Sequence, residues 1–124
     1  MCGIAGIVDL RGKRDVDRAL LTRMCDAIAH RGPDAGDYHF GAGVGLGHRR
    51  LSIIDLAGGK QPMYNEDRTV VVTYNGEIYN FQPLREELAV AGHRFQTHSD
   101  TEVLVHGWEQ WQEDSVTRFN GMFA

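Results

Sequence analysis

Apolar residues gather at the very start of the chain. Gly3-Ile4-Ala5-Gly6-Ile7-Val8-Asp9 reads as a short buried strand whose small residues let neighbouring backbone come close. Val16, Leu20, Met24 and Ile28 then recur every fourth residue with Leu21 and Cys25 beside them, which predicts a helix over 16–29. Cys25 lies on that stripe, so its thiol is expected in the core. His30-Arg31-Gly32-Pro33-Asp34 breaks the helix into a turn. Glycine-rich strand material at 37–48 leads into a β-branched stretch, Leu51-Ser52-Ile53-Ile54, and then a loop from Leu56 to Pro62. Thr69–Tyr74 is the plainest strand of the chain. A helix from Gln82 to Ala91 stops at Gly92, a C-cap residue. A further helix opens at Ser99-Asp100-Thr101-Glu102, which has the spacing of a capping box, and carries Val103, Leu104, Val105, Trp108 and Trp111. Strand, helix, several strands, then helices predicts an α+β layered protein with largely antiparallel strands. Asn120–Ala124 reads as the beginning of another apolar strand, so the chain is expected to be a domain truncated at its C-terminus.

Composition narrows the class. The 124 residues suffice for one core, and 42% apolar with 24% charged residues suits a soluble globular protein. A net charge of −4 argues against a nucleic-acid partner. No apolar run approaches the roughly 18 residues of a membrane span, and the N-terminus lacks the sections of a signal peptide, so a cytoplasmic location is the default and no membrane partner is expected. The two cysteines lack CxxC spacing, and the six histidines show no HExxH or Cys/His cluster, so no metal ligand is expected. Gly41-Ala42-Gly43-Val44-Gly45 lacks the Lys-Ser/Thr of a phosphate loop, which speaks against ATP binding in this chain.

The candidate chemistry begins at Cys2. Removal of Met1 leaves Cys2 with a free α-amine beside its own thiol, a nucleophile and a base in one residue. An unassisted thiol with a pKa near 8.5 is only about 3% thiolate at pH 7. An α-amine with a pKa of about 7.7–8.0 is roughly a tenth to a sixth neutral at that pH and can take the thiol proton. Asn75-Gly76 behind a β-branched strand is a hairpin signal, since both residues tolerate φ > 0. Alternatively, the Asn75 amide and the Gly76 N–H converge on a developing oxyanion, with glycine letting substrate approach the backbone. Arg50 is either a solvated surface arginine, the commoner case, or a fork for a substrate carboxylate. Asp100 and Glu77 likewise each have a plain reading, the first as the opening of a capped helix, and a functional one as the seat of a substrate ammonium.

Together these pieces resemble a known family. Met1-Cys2-Gly3-Ile4-Ala5-Gly6, Ala29–Asp34, His48-Arg49-Arg50-Leu51-Ser52-Ile53-Ile54-Asp55, Gln61-Pro62, Tyr74-Asn75-Gly76-Glu77-Ile78-Tyr79-Asn80, Ser99–Glu102 and Gly121–Ala124 follow one another as in the glutaminase domain of glutamine-hydrolysing asparagine synthetases. These are class II, N-terminal-nucleophile (Ntn) glutamine amidotransferases. The resemblance implies an Ntn-hydrolase αββα four-layer sandwich, present here over residues 1–124 as an N-terminal fragment. It implies that Cys2 attacks the glutamine amide, that Asn75 and Gly76 form the oxyanion hole, and that Arg50 grips the α-carboxylate. Asp100 and Glu77 would hold the α-ammonium, with backbone around Ile53 and Ile54 completing the pocket. It further implies glutamine as substrate and a C-terminal synthetase domain in cis, absent here, that uses ATP and Mg²⁺ to amidate aspartate. No cofactor is expected in the fragment itself, and a homodimer stays open. Three alternatives stand beside this: a paralogue amidating another carboxylate in a biosynthetic cluster, an inactive glutaminase-like binding module, and an Ntn hydrolase of other amides.

Overall fold

The computed structural model describes residues 2–12, 14–51 and 59–124. Their architecture is α+β, and every strand pairing among them is antiparallel, as expected. Strand β1 (Gly3–Val8) and the hairpin β2 (Ala35–Gly41) and β3 (Val44–Arg50) form a sheet in the order β1-β3-β2. The glycine-rich stretch at 37–48 is thus two strands rather than one, turned at Ala42-Gly43, where Gly43 takes φ +70°.

Helix α1 (Arg18–Ala27) lies within the predicted span and is capped by Asp17, whose carboxylate accepts the Leu20 N–H at 2.9 Å. It buries Leu21 and Cys25, and burial first of all pushes the Cys25 thiol above its usual pKa, as suits a structural cysteine. The docking surface is a glycine stripe on β3. A Cβ on Gly45 would lie 2.8 Å from Val16 Cγ1 and 3.1 Å from Leu21 Cδ2, and one on Gly47 would run into Cys25 Sγ. Arg49 continues that face: its Nε donates to the Cys25 carbonyl at 3.1 Å and its guanidinium pairs with Asp26.

The second half departs further from expectation. Of the strand predicted at 69–74, only β5 (Val71–Val72) is paired, with β4 (Met63–Tyr64). Asn65 closes this hairpin, its carbonyl and side chain taking the Arg68 and Val70 N–H groups. Tyr74 is instead drawn into the core with Ile78, Leu84, Leu88 and Val103, against which Val72, Phe81, Phe95, Leu104, Trp111 and Phe119 pack. Asn75-Gly76 makes no hairpin turn: neither residue has positive φ, and Gly76 begins β6 (Gly76–Ile78), which pairs with β7 (Gly121–Phe123). The strand expected near the end of the chain is therefore present.

Helix α2 (Phe81–Val90) ends as predicted, with Gly92 at φ +105° and the His93 N–H returning to the Leu88 carbonyl at 3.0 Å. Helix α3 (Thr101–Trp111) is followed by a short turn and α4 (Ser115–Arg118). The capping box at its start is only half made. Ser99 Oγ accepts the Thr101 N–H at 3.2 Å, but Glu102 reaches past Ser99 to the loop before the helix. There its carboxylate accepts the N–H groups of Gln96 (2.7 Å) and Thr97 (2.8 Å) and the Thr97 hydroxyl (2.6 Å). Burial alone would raise the Glu102 pKa; these bonds and the His106 imidazole outweigh it and hold the carboxyl at about 2.

Because the sulfur of Cys25 occupies the space above Gly47, Gly47→Ala should destabilise the protein by about 1–3 kcal/mol through overpacking. Urea unfolding should show a clearly smaller loss for the same substitution in a Cys25→Ala background, where the two sites couple through the missing sulfur. Equal losses in both backgrounds would contradict this packing.

Candidate active site

Alternation along β3 decides which residues can meet. Gly45, Gly47 and Arg49 face α1, so His48 and Arg50 face the other way, and both are buried, at 1% and 9% exposure. Across the ladder Ile4 stands opposite His48, which puts Cys2, two residues earlier, on the face of Arg50. Cys2 Sγ rests against the Leu51 peptide, 3.5 Å from its nitrogen and 3.8 Å from its oxygen.

The Ala29–Asp34 block, given above no site role of its own, holds this corner. Arg31 Nε donates to the Cys2 carbonyl at 3.2 Å, fixing the backbone of the candidate nucleophile. A Cβ on Gly32 would strike the Arg49 carbonyl and lie 2.6 Å from the Arg50 nitrogen, so only glycine lets the turn lie so close on β3. The Asp34 N–H then donates to the Arg50 carbonyl at 3.0 Å.

The Asn75-Gly76 strand has a defined orientation. Asn75 and Ala124 exchange both backbone bonds, at 3.0 and 2.9 Å, and Tyr79 N–H reaches the Asn120 carbonyl at 2.7 Å. In an antiparallel ladder the intervening residues turn their N–H groups outward, so those of Gly76 and Ile78 leave β6 on the edge away from β7. Ile78 N–H meets Asp100 Oδ2 there at 2.9 Å. The Asn75 backbone is used by Ala124, while the Gly76 N–H next to it points outward. Glycine at 76 is required by β7: a Cβ would strike the Met122 carbonyl and lie 2.6 Å from Phe123 Cα.

Asp100 stands at the N-cap position of α3 but does not cap it. Its Oδ2 instead accepts the Tyr74 hydroxyl at 3.0 Å together with the Ile78 N–H. The Tyr74 phenol is pushed far above its ordinary pKa, first by burial and then by Asp100, with Glu77 adding to the effect. The two acidic candidates therefore both bear on one hydroxyl, while the Glu77 side chain stays exposed. Gln61, quoted above only as part of a motif, uses its Oε1 to accept the Tyr74 N–H at 2.6 Å. His48 faces the same segment: burial lowers its pKa, against the pull of the Tyr74 backbone beside it. Ile53 and Ile54 lie outside the described residues. Two clefts among the described residues, of about 230 Å³ and 490 Å³, are lined by other residues, the first by Tyr64, Glu102 and His106 and the second by Val72, Leu104 and Phe119.

Sequence reading missed His48, Tyr74, Gln61 and Arg31 as parts of this corner. All four lie in the ordered motif blocks quoted above, but that gave them no role of their own. The contacts of Gln61, Tyr74 and Arg31 join residues 13 to 29 positions apart.

A thiol at the start of a chain, an Asn-Gly strand with an outward N–H and an acidic pair are parts suited to amide transfer from an amino acid. The glutamine amidotransferase domain family matches residues 1–124, and the chain belongs to that family. It is 45% identical over 131 residues to asparagine synthetase (glutamine-hydrolyzing) 3 of Bacillus subtilis strain 168, covering 100% of this chain and 20% of that relative. It is 46% identical over 126 residues to asparagine synthetase (glutamine-hydrolyzing) 2 of the same organism, covering 100% of this chain and 17% of the relative. With asparagine synthetase (glutamine-hydrolyzing) 2 of Oryza sativa subsp. japonica the identity is 42% over 124 residues, 100% of this chain and 21% of the relative. The chain thus spans about a fifth of the length of these curated relatives. No helix among the described residues is long and apolar enough to cross a membrane.

The lowered pKa of His48 has a sign. A histidine that protonates less readily when folded lends stability above its unfolded pKa of about 6.5, and that stability is lost as pH falls toward the folded value. Melting temperatures followed from pH 8 downward should therefore drop more for the unaltered protein than for His48→Gln. The comparison removes His106, whose pKa the Glu102 and Glu109 carboxylates raise against burial and which titrates alike in both proteins. Parallel pH profiles would reject a buried neutral His48.

Proposed function

We propose that this chain hydrolyses the side-chain amide of glutamine, with Cys2 as an N-terminal nucleophile exposed by removal of Met1. The observation that carries it is the seating of Cys2, its carbonyl on Arg31 and its sulfur against the Leu51 peptide, on the face of β3 that Arg50 shares. In this mechanism the Cys2 α-amine takes the thiol proton as sulfur adds to the amide carbon. The Asn75 side-chain amide and the Gly76 N–H stabilise the oxyanion. The same amine returns a proton to the departing ammonia, and water then cleaves the glutamyl thioester to glutamate. Arg50 receives the α-carboxylate, and Asp100 with Glu77 the α-ammonium.

Further support comes from the relatives, whose names describe glutamine-hydrolysing asparagine synthetases. In a longer polypeptide of that kind the ammonia would pass in cis to a synthetase domain, which amidates aspartate with ATP and Mg²⁺. A paralogue amidating a different carboxylate would use the same glutaminase step. The four-layer αββα arrangement is proposed with it. The His48 side chain, turned away from α1, meets the Tyr74 backbone, and Tyr74 packs in the core with Leu84 and Leu88 of α2 and Val103 of α3.

Cys2→Ala in the complete polypeptide should abolish glutamate release from glutamine, while synthesis from added ammonium salts continues. Residual glutamate release at the unaltered rate would refute Cys2 as nucleophile. Asn75→Ala, which removes one oxyanion donor, should lower kcat for glutamine on the order of 10²–10³-fold with little change in KM. Mass spectrometry of active enzyme should find Cys2 as the first residue, with an unblocked amine.

A further inference from the structure

A second constellation lies on α3 and the loop that leads to it. Among the described residues, His93, His106 and Glu109 bring donor atoms within 4.8 Å of one another. Glu109 Oε2 lies 2.9 Å from His106 Nδ1 and 3.5 Å from His93 Nδ1. Ligands 2.0–2.2 Å from a tetrahedral Zn²⁺ stand roughly 3.3–3.5 Å apart, so the His93–Glu109 spacing already fits, the His106–Glu109 pair would open slightly, and the two histidine nitrogens would close from a separation of no more than 4.8 Å. His106 is buried, whereas the His93 and Glu109 side chains keep 17% and 25% of their surface, which leaves a route and a fourth position for water.

The outer contacts strengthen the case. A metal-binding histidine characteristically hands its other nitrogen to a carboxylate or carbonyl, and a binding carboxylate is itself hydrogen-bonded. Here His106 Nε2 faces Glu102 Oε1 at 3.6 Å, His93 Nε2 meets Gln110 Oε1 at 3.0 Å, and Glu109 Oε1 accepts from Asn65 Nδ2 at 2.7 Å. The Glu102 carboxylate is locked in turn by Gln96 and Thr97. Glu109 Oε2 thus stands between the Nδ1 atoms of the two rings. We propose that His93 Nδ1, His106 Nδ1 and Glu109 Oε2 form a three-ligand site for a divalent transition metal of the Zn²⁺ class. The role is structural: the ion would clamp the end of α2, the middle of α3 and, through Asn65, the β4–β5 hairpin. The histidine spacing concealed it, since one ligand precedes the helix and the other two form a His-x-x-Glu pair.

The test is a titration of the metal-stripped protein with Co²⁺, read by visible ligand-field absorption. One Co²⁺ per chain with the intense bands of a four-coordinate nitrogen and oxygen site is expected. His93→Gln and Glu109→Gln, each checked for folding by circular dichroism, should weaken binding on the order of 100-fold or more. Zn²⁺ should displace the cobalt and raise the melting temperature of the unaltered protein. No saturable Co²⁺ spectrum would overturn the proposal, as would thiolate-to-cobalt charge transfer pointing to Cys2 or Cys25. Undiminished binding by folded His93→Gln and Glu109→Gln proteins would do the same.

Discussion

The two-faced character of β3 is the constraint from which the site follows. Pleating sends alternate residues to opposite sides, and this strand has used one side for packing and the other for polar groups. Gly45 and Gly47 lower the surface so that α1 can lie against the sheet with Leu21 and Cys25 buried. His48 and Arg50 are thereby forced to the far side, where Cys2 arrives from β1. A one-residue slip would put the glycines where the arginine is needed and a histidine under the helix, so helix packing and site assembly enforce one register.

A second set of contacts ties the Asn75-Gly76 strand in place from several directions. Asp100, at the mouth of α3, accepts both the Tyr74 hydroxyl and the Ile78 N–H. Gln61 accepts the Tyr74 N–H, and Ala124 pairs with Asn75. Each of these satisfies a backbone or phenolic donor that burial would otherwise penalise. The strand that carries the Gly76 N–H is thus held by hydrogen bonds on both sides, to β7 on one and to Asp100 and Gln61 on the other.

Helix α3 carries two polar networks. Its first turn serves the candidate active site through Asp100. Its body holds Glu102, His106 and Glu109, whose carboxylates anchor the preceding loop and the β4–β5 hairpin. Buried charges survive only when paired and hydrogen-bonded, and here each carboxylate is satisfied by partners from other elements. The helix is thereby fixed at both levels, which keeps Asp100 at the distance Tyr74 and Ile78 require.

Local chemistry made much of this readable in advance. Helical periodicity found α1, Gly92 marked the end of α2, and the ordered motifs pointed to the amidotransferase family over the whole chain. Those features depend on residues a few positions apart, where backbone geometry and side-chain spacing act directly. Local rules failed wherever a distant partner competed for the same group. Asn75-Gly76 has every mark of a hairpin turn, yet β7 captures it as an extended strand, 46 or so residues of chain closing back upon it. Glu102 has the spacing of a capping box, yet the Gln96–Thr97 loop offers three donors instead of one. Asp100, His48, Gln61, and His93 with Glu109 acquired their partners the same way. Which residues could do chemistry was written in their types and order; which of them meet was settled by long-range packing, because a buried polar group takes whichever partner the folded chain brings within reach.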